Sequence, residues 1–278
     1  MRKLICMLTT IALLLSICIV PAYADTGEIS FNRILNAHDI GGWKTADGRH
    51  VRKGVILHTG ELAYATSADI AKLKNVYHIK RVYDFRYPVD HKYCPDKAIP
   101  GATNVNLPTK YKKSHSKRIP KKRYKKFKKY GNAKLRKKMI PTFKKMNRSY
   151  TYDLVMSSYS QKQYKKYFDY LLANNPNNGV LFHCIHGKDR TGVAAFMTLI
   201  ALGVSENDAY SEFTGTNVWL NKYGHSTYKK GKIGVRKSDL QYAVSNAKKK
   251  YGSLNKFLEK AYGLDQNDLN KLRNKYLV

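Results

Sequence analysis

The sequence predicts an α/β protein with a central, mostly parallel sheet flanked by helices. Three observations predict it. Short apolar segments bounded by turn residues occur four times. Stretches with apolar residues at helical spacing lie between and after them. Hydrophobic residues make up 43% and aromatics 12% of the 278 residues, enough to build a core between such layers. The strands are read at 53–58 (Val55-Ile56-Leu57), 79–86 (Val82-Tyr83-Asp84-Phe85), 103–107 (Val105-Asn106-Leu107) and 179–184 (Val180-Leu181-Phe182). Ser67 reads as the N-cap of a helix over 68–76, and segments 161–174 and 192–203 carry helical patterns. Ser205 caps a further helix with Glu206 and Asp208 in its first turn, where the helix dipole favours acids. Three last helices fit 237–250, 253–262 and 266–276, with Gly252-Ser253 and Gly263 as stop and restart signals.

Composition narrows the classes. Gly at 18 and Pro at 8 exclude a collagen-like polymer, and four Cys are too few for a disulfide scaffold. The chain carries 52 Lys+Arg against 19 Asp+Glu, a net +33 that points to anionic partners. Residues 1–24 read as a secretory signal peptide. Arg2 and Lys3 precede an apolar run from Leu4 to Val20, and Ala22-Tyr23-Ala24 is a small-x-small cleavage site. Cleavage after Ala24 leaves 25–278 as one exported domain with two cysteines, Cys94 and Cys184. Within it, residues 110–148 hold 19 Lys/Arg and no acid, so 109–150 reads as a basic, partly helical insertion or lid. It is either a solvated face or a contact to an anionic membrane or cell-wall polyanion; nucleic acid is the disfavoured partner, and a monomer is expected.

The chemistry lies in His183-Cys184-Ile185-His186-Gly187-Lys188-Asp189-Arg190-Thr191-Gly192, which follows a strand and opens a helix. If the five residues between Cys184 and Arg190 curl around one point, their amides form an anion cradle at the helix N-terminus. Arg190 can then clamp two oxygens of a tetrahedral dianion. Cys184 in such positive surroundings is a nucleophile, and Thr191 can donate to its sulfur. Ile185, His186, Gly187, Lys188 and Gly192 complete the substrate-binding loop, with Gly187 and Gly192 allowing close backbone approach. His183 braces the loop. The implied reaction is two-step phosphate-ester hydrolysis through a cysteinyl-phosphate, with no metal or other cofactor.

These ten residues resemble the signature of the tyrosine-phosphatase superfamily, and more narrowly its bacterial tyrosine/serine branch, which includes secreted members. The stretch Asn36 to Arg49, the segment His58-Thr59-Gly60-Glu61-Leu62, the strand Val82 to Arg86 and the helices from Tyr251 to Leu277 are similar to the same family. The resemblance implies a tyrosine-phosphatase-like fold, with phosphotyrosine proteins as substrates and phosphoserine/threonine or phosphoinositides as further ones. It implies Asp189 as the general acid, although its cationic neighbours favour the ionised form; Asp84 and Asp153 are the runners-up. Asp39 is read as tying a turn beneath the loop, and Asp84 as bracing it with Arg86. Lys188 has two readings, a solvated loop residue or a contact to a second phosphate, and His186 adds an imidazole that favours a second anionic group. The family usually has Arg where His38 and His58 stand, so His there weakens any hold on loop or substrate at high pH. Cys94 is read as a plain thiol, with pairing to Cys184 as an alternative. The rival functions are a phytase-like inositol-polyphosphate phosphatase and a catalytically weak anion-binding module.

Overall fold

The computed structural model describes residues 27–109, 147–222 and 234–278. Five strands form one sheet: β1 (His38–Asp39), β2 (Ile56–Thr59), β3 (Ile79–Asp84), β4 (Thr103–Asn106) and β5 (Gly179–His183). Their order is β1-β2-β5-β3-β4, with only the β1–β2 pair antiparallel. The central strand β5 is buried along its whole length, as expected for a parallel strand covered on both faces. Its side chains alternate. Val180 and Phe182 join Ile56, Tyr83 and Phe85 in a core on one face, while Leu181 joins Leu57, Val82 and Ile79 in a second core on the other.

The helices are α1 (Ser67–Asn75), α2 (Pro88–Tyr93), α3 (Asn147–Met156), α4 (Ser158–Ala173), α5 (Arg190–Leu202), α6 (Glu206–Lys222), α7 (Lys237–Tyr251), α8 (Leu254–Tyr262) and α9 (Gln266–Tyr276). Every residue of α5 is buried, because the helix runs through the larger core rather than along its surface. Gly203 ends it at φ +91°, a left-handed cap that a side chain resists.

The structure differs from the sequence expectation at several boundaries. Thr66, not Ser67, caps α1: its side chain accepts from the Asp69 amide while Asp69 bonds back to it, a reciprocal box that Ser67 does not form. The six-residue α2, opened by Pro88, and the two-residue β1 are too short to leave a periodic signal. Residues 147–150, read as the end of the basic insertion, are the first turn of α3. The rest of that segment and the signal-peptide stretch 1–24 lie outside the described residues. Among the described residues, no helix is long and apolar enough to cross a membrane.

The parallel register sets Thr59 of β2 and Asp84 of β3 level with His183 of β5. The loops that leave these three strands therefore emerge together at the carboxyl edge of the sheet, where open α/β sheets bind ligands.

Candidate active site

Residues 184–189 turn from β5 into α5 at that edge. Their carbonyls are held by donors outside the turn. The ring Nδ1 of His183 lies 3.0 Å from the Cys184 oxygen, and the Glu61 amide donates to Ile185 O at 3.1 Å. Asn36 Nδ2 reaches His186 O at 3.1 Å and Gly187 O at 3.0 Å, and His58 Nε2 also bonds Gly187 O. A trans peptide points its C=O and the following N–H in opposite directions. Carbonyls drawn outward at 185, 186 and 187 thus turn the amides of His186, Gly187 and Lys188 toward the inside of the loop. Asp189 places no side-chain cap on α5, so the amides of the first turn are left to an anion. Gly187 sits at φ +68°, and a Cβ there would lie 2.6 Å from Thr59 O; glycine is the residue that lets the loop pass so close to β2.

Cys184 lies at the base of this turn, 2% exposed. Arg190, the first residue of α5, is buried and held on three sides. Its Nη1 donates to Phe85 O at 3.1 Å, the Tyr87 ring lies 4.7 Å from its guanidinium carbon, and its own carbonyl accepts from Tyr164 Oη at 2.9 Å. Its Nε has no hydrogen-bond partner among the described residues, and neither has the Thr191 hydroxyl. A guanidinium with a free Nε edge and an uncommitted hydroxyl beside a buried thiol are the donors that a bound oxyanion and a sulfur leaving group require. Tyr150 of α3 and Tyr164 of α4 act electrostatically on both Arg190 and Cys184, so these two phenols border the same space.

Two buried charge clusters flank the loop from below. In the first, Arg86 binds Asp84 through Nε and Nη2 at 2.7–3.0 Å, Asp96 at 2.7 Å and Glu61 at 3.1 Å. His183 Nε2 lies 3.1 Å from Asp96 and 3.7 Å from Asp84 as an ion pair, without the alignment of a hydrogen bond. Burial pushes the His183 imidazole down, but Asp84 and Asp96 outweigh it and hold it at about 9. In the second, Glu212 accepts from His38 Nε2 at 2.6 Å and Trp43 Nε1 at 3.3 Å, and His58 Nδ1 lies 3.4 Å from the same carboxylate. Both groups offer closely spaced potential metal ligands. Arg86 occupies the carboxylates of the first, and the direct His38–Glu212 bond leaves no gap for an ion between that pair in the second.

The other expected residues fall as follows. Lys188 is buried and pairs with Asp189 at 3.0 Å, so its ammonium is not a solvated loop charge. The Asp189 side chain is 20% exposed at the rim. Ile185 and His186 are half-buried on the loop. Gly192 faces Phe213, whose ring would be 2.8 Å from a Cβ. Asp39 ties the β1–β2 connection, accepting from the amides of Gly41 and Gly54. Asp84 is bonded to Arg86 and lies 3.1 Å from His91 Nδ1, so its carboxylate is committed inside the buried cluster. Asp153 lies on α3. Cys94 and Cys184 are free thiols, and Cys94 Sγ lies 3.8 Å from Tyr64 Oη.

Sequence reasoning assigned no role to Asn36, Glu212, Asp96, Tyr87, Tyr150 or Tyr164. Glu212 alone left a signal: it shares the buried stripe of Ala209, Phe213, Thr216 and Leu220 on α6, where a carboxylate demands a partner.

Fold and site together define an α/β protein that presents a cysteine and an arginine, six positions apart, around a loop of inward-facing amides. The chain belongs to the tyrosine phosphatase family, whose model matches residues 29–278. A Cupriavidus necator protein named as a tyrosine-protein phosphatase is 27% identical over 193 residues, which is 68% of this chain; the chain spans 63% of that relative's length. Among solved structures the chain is similar to a P. aeruginosa TpbA cysteine-to-serine variant in complex with pTyr, with 16% identity and a TM-score of 0.34, over 71% of this chain and 90% of that one. It is likewise similar to P. aeruginosa TpbA itself, with 14% identity and a TM-score of 0.33, over 69% and 97% of the two chains.

Proposed function

We propose that the protein is a cysteine-dependent phosphatase of phosphotyrosine. The observation that carries the reading is the loop itself: outward-held carbonyls, the free Nε of Arg190 and the uncommitted Thr191 hydroxyl, all around a buried Cys184. In the first step the Cys184 sulfur attacks phosphorus, a P–S bond forms, the ester P–O bond breaks, and the leaving oxygen takes a proton from Asp189. In the second, the Asp189 carboxylate takes a proton from water as the water oxygen attacks phosphorus, the P–S bond breaks, Thr191 donates a hydrogen bond to the departing thiolate, and inorganic phosphate leaves. The loop amides and Arg190 carry the equatorial charge in both steps. Asp189 is the preferred acid because it is the rim carboxyl next to the cradle, whereas Asp84 is locked to Arg86. An Asp189→Asn variant with an unchanged pH profile and near-normal rate removes it from that role.

Depth favours the aryl ester. With Cys184 only 2% exposed and Tyr87 and Tyr150 beside Arg190, a phosphate reaches the sulfur on a long, flat group more readily than on a short serine side chain. Phosphoserine/threonine and phosphoinositides rank below it. Export directed by residues 1–24 and attachment of the 110–148 segment to anionic surfaces belong to the same proposal, tested by cell fractionation and by binding to acidic vesicles.

The deciding experiment is hydrolysis of p-nitrophenyl phosphate, phosphotyrosine peptide and phosphatidylinositol phosphates in excess EDTA, with Cys184→Ser as control. Turnover that vanishes in the variant establishes the thiolate route. No turnover on any of them, with the fold intact, overturns it.

A further inference from the structure

We propose that Tyr87 is a positioning residue: its ring fixes the plane of the Arg190 guanidinium, so that the Nε edge is held open for an oxyanion. The proposal rests on the reading of residues 184–190 as the catalytic cradle.

The Arg190 guanidinium has two contacts of different kinds. Its Nη1 donates to Phe85 O at 3.1 Å, and its carbon lies over the Tyr87 ring, 4.7 Å from the centroid. A hydrogen bond at one nitrogen fixes a point and lets the group pivot about it. An aromatic face drawn to the cation by its quadrupole fixes the plane. Two-point binding of an oxyanion needs that plane to be set, because the fork of N–H donors is flat and rigid. There is also a force to resist. Arg190 Nε is buried without a partner among the described residues, and a buried donor left unpaired costs free energy. An unrestrained guanidinium would turn to relieve that cost at the expense of the site.

Tyr87 is itself locked in place. Pro88 opens α2 and disfavours helical backbone in the residue before it; Tyr87 is extended, at φ −73° and ψ 155°. Its amide donates to Asp90 Oδ2 at 3.1 Å, and its carbonyl accepts from the Asp90 amide at 2.8 Å. The two residues before it are fixed as firmly. The Phe85 amide donates to His183 O at 2.9 Å, which sets it against the end of β5. Arg86 is buried among Asp84, Asp96 and Glu61 and also donates to Cys94 O at 2.9 Å, just past the far end of α2. In Phe85-Arg86-Tyr87 the outer residues therefore hold Arg190 by an edge and a face, while the middle one anchors the segment.

Tyr87 is half-buried and stands outside both hydrophobic cores. Removing its ring opens no core cavity, so the loss falls on Arg190 and not on the fold.

Two measurements on the full chain test this. Tungstate mimics phosphate and carries no aryl group, so it reports on the cradle without contact between Tyr87 and a substrate ring. Tyr87→Leu should weaken tungstate binding about tenfold, the scale of one desolvated cation–aromatic contact, and Tyr87→Phe should stay within about threefold of wild type. In ligand-free protein labelled with 15N-arginine, the Arg190 Nε–H should be rigid in the wild type and in Tyr87→Phe, and mobile in Tyr87→Leu. A Tyr87→Leu protein that binds tungstate as the wild type does, or whose Arg190 Nε–H stays rigid, overturns the proposal. A Tyr87→Phe protein as weak as Tyr87→Leu also overturns it, since the hydroxyl and not the ring face would then be responsible. Tungstate binding without phosphatase turnover in the wild type would refute the functional reading alone, and turnover with unchanged tungstate affinity in Tyr87→Leu would refute this inference alone.

Discussion

Asn36 offers the sharpest test of how the loop is held, because its side chain and its backbone contribute separately. It sits at φ +52°, and its Nδ2 approaches His186 O, Gly187 O and the Thr216 hydroxyl at 3.1, 3.0 and 2.7 Å. Asn36→Ala incurs two costs. A Cβ-bearing residue without a polar side chain costs roughly 1–2 kcal/mol in the left-handed region. Loss of the amide removes a donor from His186 O, about 1–3 kcal/mol for a buried acceptor, while Gly187 O keeps His58. The sum is about 2–5 kcal/mol of stability. Asn36→Gly removes the backbone cost and leaves the second, so the two variants should differ by about 1 kcal/mol in urea denaturation. Both should weaken tungstate binding to a similar degree, since both free the same carbonyls. A glycine variant no more stable than the alanine variant, or two variants within about 0.5 kcal/mol of wild type, would falsify this account of the loop.

Three further outcomes follow from the same contacts. Gly192→Ala puts a methyl 2.8 Å from the Phe213 ring and should cost about 1–3 kcal/mol in thermal or urea unfolding, with Phe213→Leu in the same chain restoring part of it. Tyr164→Phe removes the donor to Arg190 O and should cost about 1 kcal/mol and lower kcat/KM; unchanged values for both would remove Tyr164 from the support of Arg190. His183 is held at about 9, above its ordinary 6.5, by the carboxylates of Asp84 and Asp96. Its contribution is fully present below pH 6.5 and disappears as pH rises through about 9. Urea midpoints should fall across that window, and His183→Gln should flatten the fall.

What could be read in the sequence was local. The strand Val180 to Phe182, the Cys184–Arg190 spacing and the helix behind it lie within a few dozen residues, and each carries its own period or turn signal. The cap of α1 was legible too, but Thr66 and Ser67 are both good cap formers; only the Asp69 spacing, three from Thr66, separates them. Asn36 could not be given a role. Its partners lie 150 to 180 positions away, and no pattern in its own neighbourhood states that it meets them. Asp96 is the same case, since its link to Arg86 and His183 exists only once β3 and β5 pair. The residues proposed to do the chemistry were marked by sequence order, and the residues that hold them were fixed by topology.

That division bears on how the cradle works before any anion arrives. Four consecutive carbonyls, Cys184 to Gly187, each meet a donor that lies outside residues 184–190: the His183 ring, the Glu61 amide, Asn36 and His58. Three of those donors stand on or beside strand ends that the sheet register has already fixed, and the fourth, Asn36, is anchored to Thr216 of α6. The loop therefore needs no ligand to define its shape, and its amides are aimed in advance, the arrangement that stabilises a transition state without reorganisation. Tungstate should accordingly raise the unfolding temperature while leaving the exchange rates of amides far from the loop nearly unchanged. Broad slowing of exchange across β2, β5 and α5 on binding would mean that the anion, and not the surrounding protein, organises the loop.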